Sequence, residues 1–324
     1  MNEKTPRKTE KLLRLAVCIM AILALCSAFT YMLLEIVRDN NETKKLLLEA
    51  FFAIDDEPPS SAVSSEAPIT AFPSVTEAPT HRERITLDLS KDTLTVINGT
   101  SYSVDTDALL EASLPKHFFD TRPLILIYHS DPLASYWQGD SDRVPSFHPF
   151  RDEKNNVIAV GASIRDLLAS AGIAAIHVTD PIEDPIALLS RYRESFPSIR
   201  YCLDVRRDGI YTTDGRIVKS SCTIGNERSA QLMLAVGTDM NNEAFEWQKN
   251  LAAAYQLADM IKNAEPDSMR PIYLRPESLS QGDDVIHLTL FVGTTGNTLD
   301  EAITGSRFFA RYLALFILSH CGIE

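Results

Sequence analysis

The sequence predicts an α/β fold: a mixed, mainly parallel sheet with helices on both faces, behind an N-terminal transmembrane helix. Two patterns carry this prediction. From residue 123 onward, apolar runs of strand length alternate with stretches of helical periodicity, which is the order typical of parallel sheets. Near the N-terminus, residues 15–34 (LAVCIMAILALCSAFTYMLL) are uncharged and mainly apolar, and they are long enough to cross a bilayer core as a helix.

Basic residues precede this apolar segment, namely Arg7, Lys8, Lys11 and Arg14. By the positive-inside rule they predict a cytoplasmic tail (residues 1–14), a membrane anchor (15–37) and an exported remainder. A cleaved signal peptide is the alternative, but the run is longer than a usual h-region and no small-x-small cleavage site follows it. The predicted location is therefore the cell membrane, with a single span and an extracytoplasmic C-terminal domain.

Residues 38–84 start with mixed charge and become rich in Pro, Ser, Thr and Glu (DDEPPSSAVSSEAPITAFPSVTEAPTHRE). Such a composition cannot bury enough apolar surface to offset its ordering entropy, so it predicts a solvated tether. Residues 85–324 are then the globular domain. The chain's net charge of -13 argues against a nucleic-acid partner, and its five cysteines show no CxxC spacing.

The elements of the domain are predicted in chain order. ITLDLSKDTLTVINGTSYSVD predicts a short hairpin turning at Asn98-Gly99. Strands at PLILIY, AAIHV and RYCLDV follow, separated by helices around residues 157–171 and 184–195. A second hairpin (SSCTIGNERSAQLMLAVG) leads into a strand, and HLTLFVG is another. Long helices come after these two strands, the first over roughly residues 242–262 and the second opening on a capping box at Thr298.

Candidate functional residues lie where the predicted strands end, because open parallel sheets build their sites at the carboxyl ends of their strands. The segments are 129–131, 204–208, 237–239 and 293–297. They contain one histidine, His129, whereas a hydrolase needs a set of metal ligands or a nucleophile with its base. Their aspartates could hold a divalent ion, but strand-end aspartates more often cap helices or pair with arginine, here Arg206 and Arg207.

Six short motifs occur in one order: GTSYSVDTDALL, LILIYHSDPLASY, LDVRRDG, LAVGTD, WQKNLAAAYQLA and VGTTGNTLDEA. Together they resemble the stage II sporulation protein P family, the membrane-anchored peptidoglycan amidases and endopeptidases that act during engulfment of the forespore. The resemblance implies a fold similar to the type 3 N-acetylmuramoyl-L-alanine amidases and a zinc-dependent hydrolysis with a separate glutamate for proton transfer. It also implies peptidoglycan and stage II sporulation proteins D and M as partners.

The first motif of this family reads approximately IYHTHTSESY, and this chain departs from it in IYHSDPLASY. His129 matches the first histidine. Asp131 replaces the second histidine and Ala134 replaces the glutamate. His129 and Asp131 are therefore the remaining candidate metal ligands of this loop.

Two later motifs also depart from the family. In its DxHRD motif the histidine becomes Arg206, between Asp204 and Asp208, and a guanidinium repels a metal cation. The glutamate of its last motif aligns with Phe291, which can transfer no proton. Structural motifs are kept while chemical ones are replaced.

These departures predict a pseudo-amidase that binds glycan or partner proteins, needs no cofactor and has no catalytic residues. Its vestigial site comprises His129, Asp131, Ala134, Asp204, Arg206, Asp208 and Phe291. Tyr136 and Trp137 are candidate glycan contacts, because aromatic rings stack on sugars, with core packing as the other interpretation.

Two alternatives stay open. One is a working zinc amidase or endopeptidase with an altered site, in which His129 and Asp131 hold the metal with help from His148 or Asp208. The other is a structural spacer whose ancestral groove has closed.

Overall fold

The computed structural model describes residues 84–118, 122–138, 154–182, 184–214, 216–239, 246–279 and 285–322. These residues belong to one compact unit, Thr70–Glu324. The predicted tail, anchor and nearly all of the tether lie outside them, as does His148. Within the described part of the chain, no helix combines the length and the apolar character that a membrane span requires.

A seven-stranded sheet forms the centre of the fold. Its strands are β2 (Val96–Asn98), β4 (Ile125–Tyr128), β5 (Ala175–His177), β6 (Tyr201–Asp208), β9 (Leu232–Gly237), β10 (Ile272–Arg275) and β11 (Ile286–Thr294). They lie in the order β2-β10-β9-β11-β6-β4-β5. Neighbouring strands are parallel except β9 and β11, which are antiparallel. The prediction of a mixed, mainly parallel sheet is confirmed.

Helices cover both faces of this sheet, as predicted. They are α1 (Thr106–Glu111), α2 (Val157–Ser170), α3 (Pro185–Ser195), α4 (Trp247–Ala264) and α5 (Leu299–Ser319). Apolar side chains of α2, α4 and α5 pack with one set of alternate strand residues in the main core. We call this side of the sheet the main-core face. Leu188 and Leu189 of α3 pack on the opposite side, which we call the α3 face.

Strand alternation assigns each side chain to a face. On β4, Ile125 and Ile127 point into the main core, whereas Leu126 and Tyr128 contact the cluster under α3. β11 behaves in the same way, with Leu290 and Val292 in the main core and Phe291 on the α3 face. Successive side chains of a strand point to opposite faces, so the register of the strands decides which residues can meet.

A smaller sheet shows where one prediction holds and another is wrong. β7 (Ile217–Ile224) and β8 (Glu227–Ala230) form the predicted antiparallel hairpin. The predicted N-terminal hairpin does not form: β1 (Arg84–Leu87) pairs in parallel with β7, and β2 pairs in parallel with β10. The side chain of Asn98 accepts hydrogen bonds from the amide and hydroxyl of Thr100. These bonds turn the chain after β2, but the segment that follows does not pair back with β2 as a hairpin would.

The helix starts follow local sequence signals. Asp184 caps α3 by accepting from the amide of Ala187, and Pro185 occupies the first turn, where a missing N–H costs nothing. The predicted capping box of α5 is present, because Thr298 accepts from the amide of Glu301 and donates its own amide to the glutamate side chain. α4 begins at Trp247; residues 242–245 of its predicted start lie outside the described residues. A two-stranded sheet of β3 (His117–Phe118) and β12 (Cys321–Gly322) completes the domain.

Candidate functional site

Arg206 and Phe291, the two positions where family motifs lose their histidine and glutamate, are neighbours in the structure. They are register partners on the parallel strands β6 and β11. Both side chains lie on the α3 face, since Val205 and Leu290, each one residue earlier, lie in the main core. The structure therefore brings together two positions that are far apart in the sequence and that the sequence analysis joins in one site.

Asp204 shares this face and is fully engaged. Its carboxylate has no solvent exposure. One oxygen accepts from the amide of Ser130 at 3.0 Å, and the other accepts from the Ser130 hydroxyl at 2.7 Å and from Nε and Nη2 of Arg206 at 2.7 and 2.6 Å. The carboxylate thus neutralises the arginine and fixes the loop after β4, which leaves it no role as a ligand for a metal.

Phe291 fills apolar space. It is 7% exposed and packs with Met233, Ala235 and Leu279. The guanidinium carbons of Arg206 and Arg275 lie 6.0 and 5.9 Å from the centre of its ring, within the range of cation–π interactions. An aromatic ring in contact with two guanidinium groups therefore stands at the position that the motif resemblance aligns with the family's glutamate.

The side chain of His129 points to the other side of the sheet from Arg206 and Phe291, although Ser130 of the same loop bonds Asp204. It is 1% exposed, and its ring contacts the α2 side of the sheet, where a Cβ on Gly161 would come within 2.7 Å of it. Its Nδ1 donates to the carbonyl of Val205 at 2.9 Å, and its Nε2 lies 2.8 Å from Nε2 of His177. The loop histidine therefore points toward the main-core face, away from Arg206 and Phe291.

These contacts determine the tautomers of the histidine pair. Burial lowers the pKa of His129, and burial together with the neighbouring His129 lowers the pKa of His177 to about 4, so both rings are neutral near pH 7. His129 carries its proton on Nδ1, hence its Nε2 accepts from the Nε2–H of His177. Both ring nitrogens of His129 are used. Sequence reasoning missed His177, although it lies in the predicted strand AAIHV, where it is the last residue of β5.

The other predicted site residues have structural partners. Asp208 forms an ion pair with Arg270 at 2.7 Å. Ala134 is 2% exposed in the main core, and its carbonyl accepts from the amide of Val157 at the start of α2, so a glutamate there would bury a charge. Asp131 contributes to the negative charge around the buried Arg207.

Tyr136 and Trp137 differ in their access to a ligand. Tyr136 is 1% exposed and donates its hydroxyl to the carbonyl of Val292 at 3.0 Å, so the core interpretation applies and the ring is closed to a glycan. Trp137 is partly exposed, with the Arg84 guanidinium 5.1 Å from its ring centre. Of the two candidate contacts, only Trp137 presents surface.

The described donors do not fit a zinc ion. Among the residues that the structure describes, no three His, Cys, Asp or Glu side chains are grouped so that they could hold a metal. The contacts give the reason: His129 uses both nitrogens on the wrong side of the sheet, and Asp204 and Asp208 are bound by arginines. A zinc centre needs three or four free donors around one point.

The fold and site define a mixed α/β domain whose strand-end positions carry structural contacts where a hydrolase would carry its chemistry. The chain belongs to the stage II sporulation protein P (SpoIIP) family, whose model matches residues 74–314. A comparison with curated proteins finds no significant sequence match.

Several solved structures are similar at low scores. N-acetylmuramoyl-L-alanine amidase AmiC2 of Nostoc punctiforme is 10% identical with a TM-score of 0.35, over 60% of this chain and 95% of that chain. The amidase Ami1 from Mycobacterium abscessus is 12% identical with a TM-score of 0.38, over 61% and 98%. The CwlD amidase from Clostridioides difficile, in complex with the GerS lipoprotein, is 11% identical with a TM-score of 0.30, over 60% and 95%. Likeness at this level carries no conclusion about function.

Proposed function

We propose that this chain is an exported, membrane-anchored member of the SpoIIP family that acts at peptidoglycan during engulfment by binding glycan or partner proteins without cutting. The observation that carries the proposal is the register pair of Arg206 and Phe291. One residue is a permanent cation neutralised by a buried carboxylate, and the other is a ring packed among apolar neighbours. Neither binds a metal or moves a proton.

Metal-dependent hydrolysis needs a metal that activates water and a group that transfers a proton. Losing the ligand histidine and the glutamate removes both requirements. General acid–base catalysis alone contributes about 10²- to 10⁴-fold in rate, and the activated metal-bound water contributes further. Arg206 is also held by the fold, since the carboxylate of Asp204 accepts hydrogen bonds both from Arg206 and from the loop after β4. We therefore propose that the protein needs no cofactor.

The proposed location follows from the N-terminal sequence. Residues 15–37 anchor the protein in the cell membrane by a single span, and the tether of residues 38–84 holds the domain outside the cytoplasm. The proposed partners are peptidoglycan and stage II sporulation proteins D and M. They follow from membership of the family and its place in engulfment.

Sedimentation with purified sacculi tests the binding function. Full-length protein in detergent is expected to pellet with the sacculi, and capture of stage II sporulation protein D or M on a column carrying the protein is the second readout. A Trp137→Ala variant should pellet less, because Trp137 is the exposed aromatic candidate, whereas Tyr192→Ala on α3 is the matched aromatic control. If the wild-type protein neither pellets nor captures either partner, the spacer interpretation replaces this proposal.

The working-amidase alternative would need a different arrangement of the loop after β4. His129 would have to leave both Val205 and His177 before it could hold a metal together with Asp131. Zinc-dependent release of stem peptides from sacculi would favour that alternative.

A further inference from the structure

Among the residues that the structure describes, Arg275 is a cation without a counter-charge. It ends β10 on the α3 face, since Leu274 before it lies in the main core. Its guanidinium carbon lies 4.8 Å from the ring centre of Tyr273 and 5.9 Å from that of Phe291. Among the described residues no carboxylate forms an ion pair with it, and its buried Nε has no hydrogen-bond partner. A half-buried charge that lacks a hydrogen-bond acceptor costs folding free energy unless a ligand supplies the acceptor and the opposite charge.

Arg206 lies against the same phenylalanine ring. Its Nε and Nη2 bond Asp204, and 22% of its side chain is exposed. The described residues give its Nη1 no hydrogen-bond partner. The two guanidinium groups therefore contact one apolar ring while each keeps at least one N–H donor available.

A second unsatisfied group lies on the same face. Thr289 precedes Phe291 by two residues on β11 and is register partner of both Asp204 and Ala235. It is completely buried, and its hydroxyl has no partner among the described residues. Unsatisfied buried polar groups are few in native proteins, so the occurrence of Thr289 and Arg275 on one sheet face calls for a physical reason.

We propose that the α3 face binds an oxyanion, a carboxylate or phosphate group of its ligand, through Arg275 and Arg206, whose guanidinium groups both contact the Phe291 ring. Guanidinium groups make short, charge-assisted and often bidentate hydrogen bonds to such groups. Phe291 supplies apolar surface that strengthens these bonds. The chain has a net charge of -13, so the protein as a whole repels anions. Binding of an oxyanion at this face would therefore depend on the local arginines.

The site offers guanidinium donors and no group that could carry out hydrolysis. Fixed guanidinium cations can hold the anionic part of a ligand as a metal ion would, but they cannot activate water. This inference rests on the proposed function, since it names the group by which a cell-wall ligand is held.

Calorimetric titration of the full-length protein in detergent tests the site with three probes: a muramyl dipeptide with a free carboxylate, its fully amidated analogue, and inorganic phosphate. Binding of the carboxylate form at least about tenfold tighter than its amide identifies a carboxylate ligand. Tighter binding of phosphate identifies a phosphate ligand. If no probe binds, or if the amide binds as well as the acid and phosphate does not bind, the proposal is wrong.

Arg275→Gln should weaken binding of the preferred probe by about tenfold or more, because it removes the charge and keeps most of the stem. Arg275→Lys should retain part of the affinity, since the charge stays and the planar fork is lost. Arg165→Gln is the control, an arginine on α2 paired with Asp166. Thermal unfolding of each variant checks that it is folded, and a folded Arg275→Gln protein that binds like wild type overturns the site.

Sedimentation with sacculi separates the two proposals. If the wild-type protein and Arg275→Gln pellet equally, the oxyanion site is wrong while the binding function stands. If the wild-type protein fails to pellet and captures no partner, the proposed function itself fails.

Discussion

At the scale of single residues, the changes at the family positions alter charge and shape together. Arg206 is bonded by Asp204, and Phe291 is packed with Met233 and Leu279, so each replacement has its own partners. A lone substitution in an intact metal site would leave the other ligands converging on empty space. Here the described donors point elsewhere and are occupied by arginines, amides or a second imidazole.

Gly161 is the residue on which the histidine pair depends most directly. A Cβ at this position would lie 2.7 Å from His129 and from His177, closer than real Cβ contacts occur. We expect Gly161→Ala to lower the free energy of unfolding by about 1–3 kcal/mol, because overpacking outweighs the better helix propensity of alanine. Urea unfolding followed by circular dichroism measures it.

The control for this variant is Asp166→Ala, on the exposed side of the same helix. It should change the free energy of unfolding by no more than about 0.5 kcal/mol, as surface ion pairs contribute little. A Gly161→Ala protein as stable as the wild type would show that the rings are not packed against α2.

At the scale of elements, the sequence predicts what is encoded locally. The capping box at Thr298, the hairpin of β7 and β8, and the strands PLILIY and RYCLDV all appear, because each depends on a short stretch of chain. The N-terminal hairpin fails because an alternating pattern identifies a strand but not its partner. β10 was not predicted, since it is four residues long between Pro271 and Pro276, and Arg275 was missed with it.

The position of His129 shows a limit of the same kind. The sequence predicts that His129 follows β4. Because successive side chains of a strand alternate, His129 and Tyr128 point to opposite faces of the sheet. Which face meets Arg206 depends on the register between β4 and β6, where Tyr128 pairs with Asp204. Register is a tertiary property, so the motif alignment grouped residues that the folded sheet separates.

At the scale of the whole molecule, buried imidazoles link stability to pH. Burial lowers the pKa of His117, His177 and His287 to about 4, and it also lowers that of His129. In the unfolded chain these groups titrate near pH 6.5, so between about pH 6.5 and 4 the unfolded state binds more protons than the folded state. Stability must therefore fall as the pH falls through this window.

Thermal unfolding between pH 7.5 and pH 4 measures this linkage. A fully buried imidazole such as His287 contributes at most about 3 kcal/mol, with less from the half-buried His177 because solvent screens it. We expect Tm to fall steadily below about pH 6.5. A Tm that is flat or rises over this range would mean that the histidines are not neutral in the folded protein. His287→Gln should reduce the slope.

The most direct test of the central claim is the release of stem peptides from purified sacculi by the full-length protein in the presence of zinc. The proposed function predicts release equal to that of a sample without protein, because the resemblance aligns Arg206 and Phe291 with the family's metal-ligand and proton-transfer positions. Release that exceeds this background, disappears with a chelator and is lost in an Asp131→Ala variant would contradict the account and establish a working amidase.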